Sequence, residues 1–234
     1  MGKALARFLG GTRRRIGPVA ASFVVVVLCA STVSGATISR SYTWEHDGRV
    51  WIVSQQYSAE TYLYLQSLSH ADPYTLYAKY VNDPLDDTVI SDLVGQLQRM
   101  AVSAGLNVWE KLNLVLSFVQ TLPYAEEEDE YPRYPLETLI EARGDCEDFA
   151  ILTAALLEEM GFGAVLLAYL EEGHMAVGIR VLPPDTTNAV MYEWNGDTYY
   201  YLETTSPGWQ IGELPPEFAS CPQIIATQAT VSVR

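Results

Sequence analysis

The chain is short of cations. Against 29 Asp and Glu its 234 residues hold only 14 Lys and Arg, a formal net charge of −15. Five of those cations (Lys3, Arg7, Arg13, Arg14, Arg15) fall in residues 1–36, which contain no acid, so residues 37–234 carry −20. A surface of that sign repels phosphates, which excludes nucleic acid as a partner. Histidine is equally scarce. His46, His70 and His174 are scattered without ligand spacing, which argues against a catalytic zinc. Of three cysteines, Cys29 lies in the basic leader and only Cys146 and Cys221 follow it, a supply that allows one disulfide or two free thiols. No internal repeat is visible.

What is present begins with that leader. Ile16–Ala36 has no charge, follows a basic stretch and ends in the small-x-small triplet Ser34-Gly35-Ala36. Residues 1–36 therefore read as a cleaved signal peptide or as a retained anchor, the stretch being just long enough to span a bilayer. Both readings leave the basic flank in the cytosol and place residues 37–234 outside, with membrane contact only through this segment.

Residues 41–57 alternate about Asp47-Gly48 and predict a hairpin. Helical spacing follows over 58–69, 88–104 and 108–122, then the acidic stretch AEEEDEYPRYP at 125–135, which reads as a solvated loop. Pro135–Ala142 predicts a short helix with proline in its first turn. From Cys146 to Met160 a longer helix is expected; its segment Phe149–Leu157 is apolar at every position but Thr153, so protein must surround it. Strands are predicted at 164–169 and 175–182, and a second hairpin at 190–194 and 198–204 about Asn195-Gly196. The order, helices and then antiparallel strands, is α+β. The boundaries expected are 1–36 leader, 37–85 hairpin and helix extension, 86–215 core and 216–234 tail, the last a strand or a frayed end.

The stretch RGDCEDFAIL, residues 143–152, puts a thiol at a helix start. Backbone N–H groups and the dipole there favour a thiolate and can draw its pKa from about 8.5 toward neutrality. Asp145, Glu147 and Asp148 oppose that shift, so a catalytic thiol needs a base. His174 opens a strand after the turn Glu171-Glu172-Gly173 and is the candidate; His46 and His70 read as surface residues. Glu203, alone in YYYLETT, is the candidate to orient the imidazole, with a water-facing strand-edge carboxylate as the plain alternative. Gln120, in FVQTLPY, is the candidate side-chain donor to an oxyanion, beside the backbone N–H of Cys146; the alternative is a helix-end surface amide.

GDCEDFAILTAALLEEMGF at 144–162, GHMAVGI at 173–179 and YYYLETTSPGW at 199–209 together resemble the transglutaminase-like superfamily of the papain-like fold. PRYPLETLIEARG at 132–144 resembles the family's lead-in to its cysteine helix. The resemblance covers roughly residues 85–215, closest to exported prokaryotic members and more distantly to bacterial transglutaminase-like cysteine proteinases. It implies a buried cysteine helix packed on an antiparallel sheet, with Cys146 as nucleophile, His174 as base then acid and Glu203 as orienting carboxylate. Many members carry Asp at the third place; Glu is one methylene longer. The implied substrate is a protein or peptide amide, cleaved or transferred through a thioester. No cofactor is required. The distant proteinase relatives bind Ca²⁺ through acids of the same motif, which correspond to Asp145 and Glu147; helix capping is the other reading of these acids. A scaffold retained as a binding or cell-surface module without catalysis is the competing functional reading.

Overall fold

The computed structural model describes residues 28–29, 35–127, 130–181 and 188–227. The leader expected over 1–36 thus lies outside the described residues except at 28–29 and 35–36. Leu28–Cys29 (β1) pair antiparallel with Thr37–His46 (β2), which pairs residue for residue with Arg49–Ser58 (β3). The β2–β3 turn is Asp47-Gly48, both at positive φ (51° and 69°), the backbone that a two-residue hairpin with right-handed strand twist demands. Strand alternation points Tyr42, Trp44, Trp51, Val53 and Tyr57 inward. Tyr42 and Trp44 meet Phe118 edge-on at 5.2 and 5.3 Å, which ties the hairpin into the main core.

Helices follow: α1 (Ala59–Gln66), α2 (Ala78–Val81), α3 (Asp87–Ser103), α4 (Val108–Gln120), α5 (Pro135–Glu141) and α6 (Cys146–Glu159). Asn107 starts α4 with a reciprocal cap to Glu110, at 3.0 and 2.8 Å. α6 is the centre of the molecule. Phe149, Ala150, Ile151, Leu152, Ala154 and Leu156 are all fully buried, with strands on one side and α2 through α5 on the others. Gly161 at φ 86° ends the helix, its N–H returning to Glu158 O at 2.9 Å.

The second sheet is antiparallel, ordered β6-β7-β5-β4-β8, from Met191–Trp194 (β6), Asp197–Leu202 (β7), His174–Arg180 (β5), Gly163–Tyr169 (β4) and Gln223–Ala226 (β8). Leu166, Ala168, Met175, Val177 and Ile179 join the core around α6, while Val165, Leu167, Tyr169, Ala176 and Tyr201 form a second cluster on the other face, covered in part by Leu214 and Phe218. Gly178 is required by closeness, because a Cβ there would sit 2.8 Å from Val165 and 3.0 Å from Tyr199. A buried cysteine helix packed on an antiparallel sheet is the α+β architecture expected. The described part of the tail provides the edge strand β8, and Thr227 just beyond it donates its hydroxyl to Glu158, giving one of the two acids at the end of α6 a specific partner. Among the described residues no helix is long and apolar enough to cross a membrane.

Candidate active site

Cys146 is the first residue of α6 and is buried. The approach to it is built by Gly144. Its N–H donates to Pro123 O (3.3 Å) and its carbonyl accepts from Ala125 N (2.8 Å), which hangs the start of the acidic loop beside the cysteine. A Cβ at 144 would stand 2.7 Å from Asp148 Cβ and Oδ2. Glycine is needed here for close approach to Asp148 and not for a positive φ.

His174 and Glu203 reach the same place from the sheet. His174 opens β5, and its Nε2 lies 3.1 Å from Glu203 Oε2. A cleft lobe of about 240 Å³ is lined by both Cys146 and His174, together with Glu147, Tyr169 and Met175. A second lobe of about 390 Å³ is lined by Cys146, Tyr124, Glu126, Glu130, Asp145 and Glu147. Glu203 itself is buried and fully occupied. Oε2 also accepts from Tyr201 OH (2.6 Å), and Oε1 accepts from the backbone N–H and hydroxyl of Thr205 (2.9 and 2.6 Å). Burial pushes its carboxyl pKa up, but the hydrogen bond and charge of His174, with Thr205 and Tyr201, prevail and hold it at about 2. Glu203 is therefore no strand-edge side chain facing water.

The thiol side has the opposite electrostatics. Burial, then the charge of Glu147 and its hydrogen bond with the sulfur (Sγ to Oε2, 3.2 Å), then Asp145 push the Cys146 thiol well above its ordinary value; the Met175 backbone N–H opposes them. This corrects the expectation that the helix start draws the pKa toward neutrality, since a half-turn of dipole does not offset burial beside two carboxylates. Those carboxylates are displaced too. Burial and the neighbouring Glu147 raise Asp145 to about 8, and burial raises Glu147. Asp148, fully buried, is raised to about 7 by burial and Asp145 against the pull of Arg133. Arg133 pairs its guanidinium with Asp148, Glu127 and Glu141, and its backbone N–H donates to Asp148 Oδ1 at 2.7 Å.

Two expectations need correction. Gln120 is buried and donates Nε2 to Glu203 O (2.8 Å) and Trp209 O (3.0 Å). Both amide hydrogens are thus engaged with backbone carbonyls, so Gln120 braces the segment carrying Glu203 and does not offer a donor to the Cys146 cleft. His70 is a core residue and not a surface one. Its ring nitrogens lie 2.7 Å from Pro132 O and 3.1 Å from Leu65 O, and Tyr131 stacks on it at 4.0 Å. His46 stays at the turn, half-buried, 3.4 Å from Asp47. Cys146 and Cys221 are both free, which removes the disulfide alternative for this structure.

The acids beside Cys146 present only oxygen donors, and one, Asp145 Oδ1, is buried without a partner, which suits a hard cation in kind. Among the described residues, however, no three His, Cys, Asp or Glu side chains converge as a metal site.

Sequence reasoning did not find Tyr201 and Thr205, which satisfy Glu203, or Arg133 beneath Asp148. The clue for the first two was proximity, both lying two residues from Glu203. Arg133, buried as the sole cation in the acidic stretch 125–135, was a signal of the same kind.

Residues 105–214 match the family model of a transglutaminase-like domain. No curated protein matches the chain. A solved structure of a candidate cysteine protease from Cytophaga hutchinsonii is similar over 93% of this chain and 78% of its own, at 14% identity and a TM-score of 0.34, too low a likeness to carry mechanism across.

Proposed function

We propose that this chain, whose residues 105–214 match the family model of a transglutaminase-like domain, is an extracytoplasmic thiol enzyme that cleaves or transfers protein or peptide amides through a Cys146–His174–Glu203 triad. The observation that carries the reading is the shared cleft. Cys146 and His174 line one lobe, and His174 Nε2 is held 3.1 Å from Glu203 Oε2. Because the resting thiol keeps its proton, His174 acts as a general base during attack. Cys146 Sγ bonds to the amide carbonyl carbon while its proton passes to His174. The tetrahedral oxyanion takes the backbone N–H of Cys146 as one donor. The C–N bond then breaks, His174 returns the proton to the departing amine, and a thioester remains. Water or a second amine attacks that thioester with His174 again as base, giving an acid or a new amide and the free thiol. Glu203, carrying its charge, stabilises the imidazolium at both steps.

Glu126 and Glu130 on the rim, with Asp145 and Glu147 deeper, favour a basic peptide segment next to the reacting amide. The address outside the cytosol rests on the basic, uncharged-core pattern of residues 1–36.

The test is to incubate the chain with Lys-rich peptide amides and hydroxylamine. Hydroxamate product and an acyl adduct on Cys146 in the intact mass, both absent from Cys146→Ala, are expected. Product formation that persists in Cys146→Ala would refute the thioester route and leave the binding-module reading.

A further inference from the structure

We infer that the C-terminal segment 215–222, beyond the matched domain, completes the site, with Phe218 as a positioning residue for His174 and Glu172 as its anchor; this rests on the proposed role of His174. The Phe218 ring lies flat on the imidazole, centroids 4.1 Å apart and planes within 8°. It also leans on Tyr169 at 5.7 Å, so it closes one face of the ring at the edge of the second apolar cluster.

A ring carried on an irregular segment positions nothing unless the segment is itself held. Here it is held on both sides of Phe218. Before it, the Phe218 N–H closes a turn on Pro215 O at 3.1 Å. After it, Glu172 accepts from Ala219 N (3.1 Å), Ser220 N (2.9 Å) and Ser220 Oγ (2.5 Å), and β8 pairs with β4 from Gln223 onward. Glu172 stands two residues before His174, in the turn between β4 and β5. The turn that delivers the base therefore also grips the segment that covers it.

The effect is twofold. Glu203 fixes one ring nitrogen but leaves the imidazole free to tilt about that bond, and the Phe218 face fixes its plane. The same face keeps water from one side of the His174–Glu203 bond, which strengthens it in a drier setting. An aromatic face also favours the imidazolium that forms as the thiol gives up its proton.

The experiment compares full-length wild type with Phe218→Ala, Phe218→Leu, Phe218→Tyr, Glu172→Gln and Cys146→Ala. Two readouts are taken, hydroxamate kinetics and the ring-proton resonances of His174. Wild type should show upfield ring-current shifts at His174. Phe218→Ala and Phe218→Leu should lose them, with kcat falling about 10-fold and KM nearly unchanged, a tilt of the ring costing less than the ~100-fold of a full 1 Å misplacement. Phe218→Tyr should restore both, and Glu172→Gln should give an intermediate loss. Phe218→Leu keeps apolar bulk, so it decides the matter should Phe218→Ala not fold. Unchanged resonances or unchanged kcat in Phe218→Leu, with Cys146→Ala inactive, overturn this inference alone. Activity surviving in Cys146→Ala overturns the reading of the reaction, and this inference with it.

Discussion

The two walls of the cleft bury carboxylates to opposite effect. On the sheet wall, Glu203 receives His174, Tyr201 and both donors of Thr205, and its pKa is driven to about 2. On the helix wall, Asp145 and Glu147 have few donors and each other for neighbours, and burial pushes them and the Cys146 thiol upward. Burial penalises charge on both walls; at Glu203 the hydrogen bonds and the charge of His174 outweigh that penalty, and at Asp145 and Glu147 the bonds received do not. The sheet wall is set to hold a negative charge and orient a base. The helix wall is set to hold protons, including the one that His174 must remove.

Removing the sulfur tests the contrast most severely. Cys146→Ala should lower acyl transfer by on the order of 10⁴-fold or more, with the unfolding midpoint little changed. Next, Glu203→Gln keeps the shape but deletes the charge, and kcat should fall about 10³- to 10⁴-fold, as when the orienting carboxylate of a triad is neutralised. The same substitution changes acid stability in a defined direction. Glu203 is depressed in the folded state, so its contribution is present above the ordinary glutamate range and is lost as pH falls toward about 2. Urea midpoints between pH 2 and 5 should depend on pH less steeply in Glu203→Gln than in wild type.

The helix wall is probed through Arg133. Arg133→Met leaves Asp148 buried without its cation and should cost about 3–5 kcal/mol in urea unfolding, part of which Arg133→Met with Asp148→Asn restores. The smallest effect is expected at Asp86, a third buried carboxylate, which burial raises to about 8 and which has one oxygen unpartnered. Its folded form binds more protons than the unfolded chain between about pH 4 and 8, so stability falls as pH rises through that window. Asp86→Asn should therefore raise the melting temperature at pH 8, by on the order of 1 kcal/mol in stability, and leave it unchanged at pH 4.

Much of this was legible in the sequence wherever one short segment decides the outcome. Asp47-Gly48 and Asn195-Gly196 fix both hairpins because few residues accept positive φ. The run Phe149–Leu157, apolar at every position but Thr153, fixes a helix segment buried on all sides. His174 and Glu203 were recognisable as partners because each stands at the end of a strand beside a motif. What stayed hidden depends on distant residues. SHADP reads as polar surface, yet the ring of His70 is enclosed by Tyr131 and Tyr134, about sixty positions away in the chain. Gln120 at a helix end looks free until the carbonyls of Glu203 and Trp209 close on it. The acids around Cys146 were visible, but their burial, which reverses the expected shift of the thiol, was not.

Service of His174 to the Cys146 sulfur is read out by alkylation with iodoacetamide between pH 6 and 8. Cys221, exposed and free, is an internal reference in the same sample. The Cys146 rate should fall at least about 10-fold in His174→Ala, in line with the loss of a positioned base, while Cys221 reacts at the same rate in both proteins. Equal Cys146 rates with and without the imidazole would contradict it.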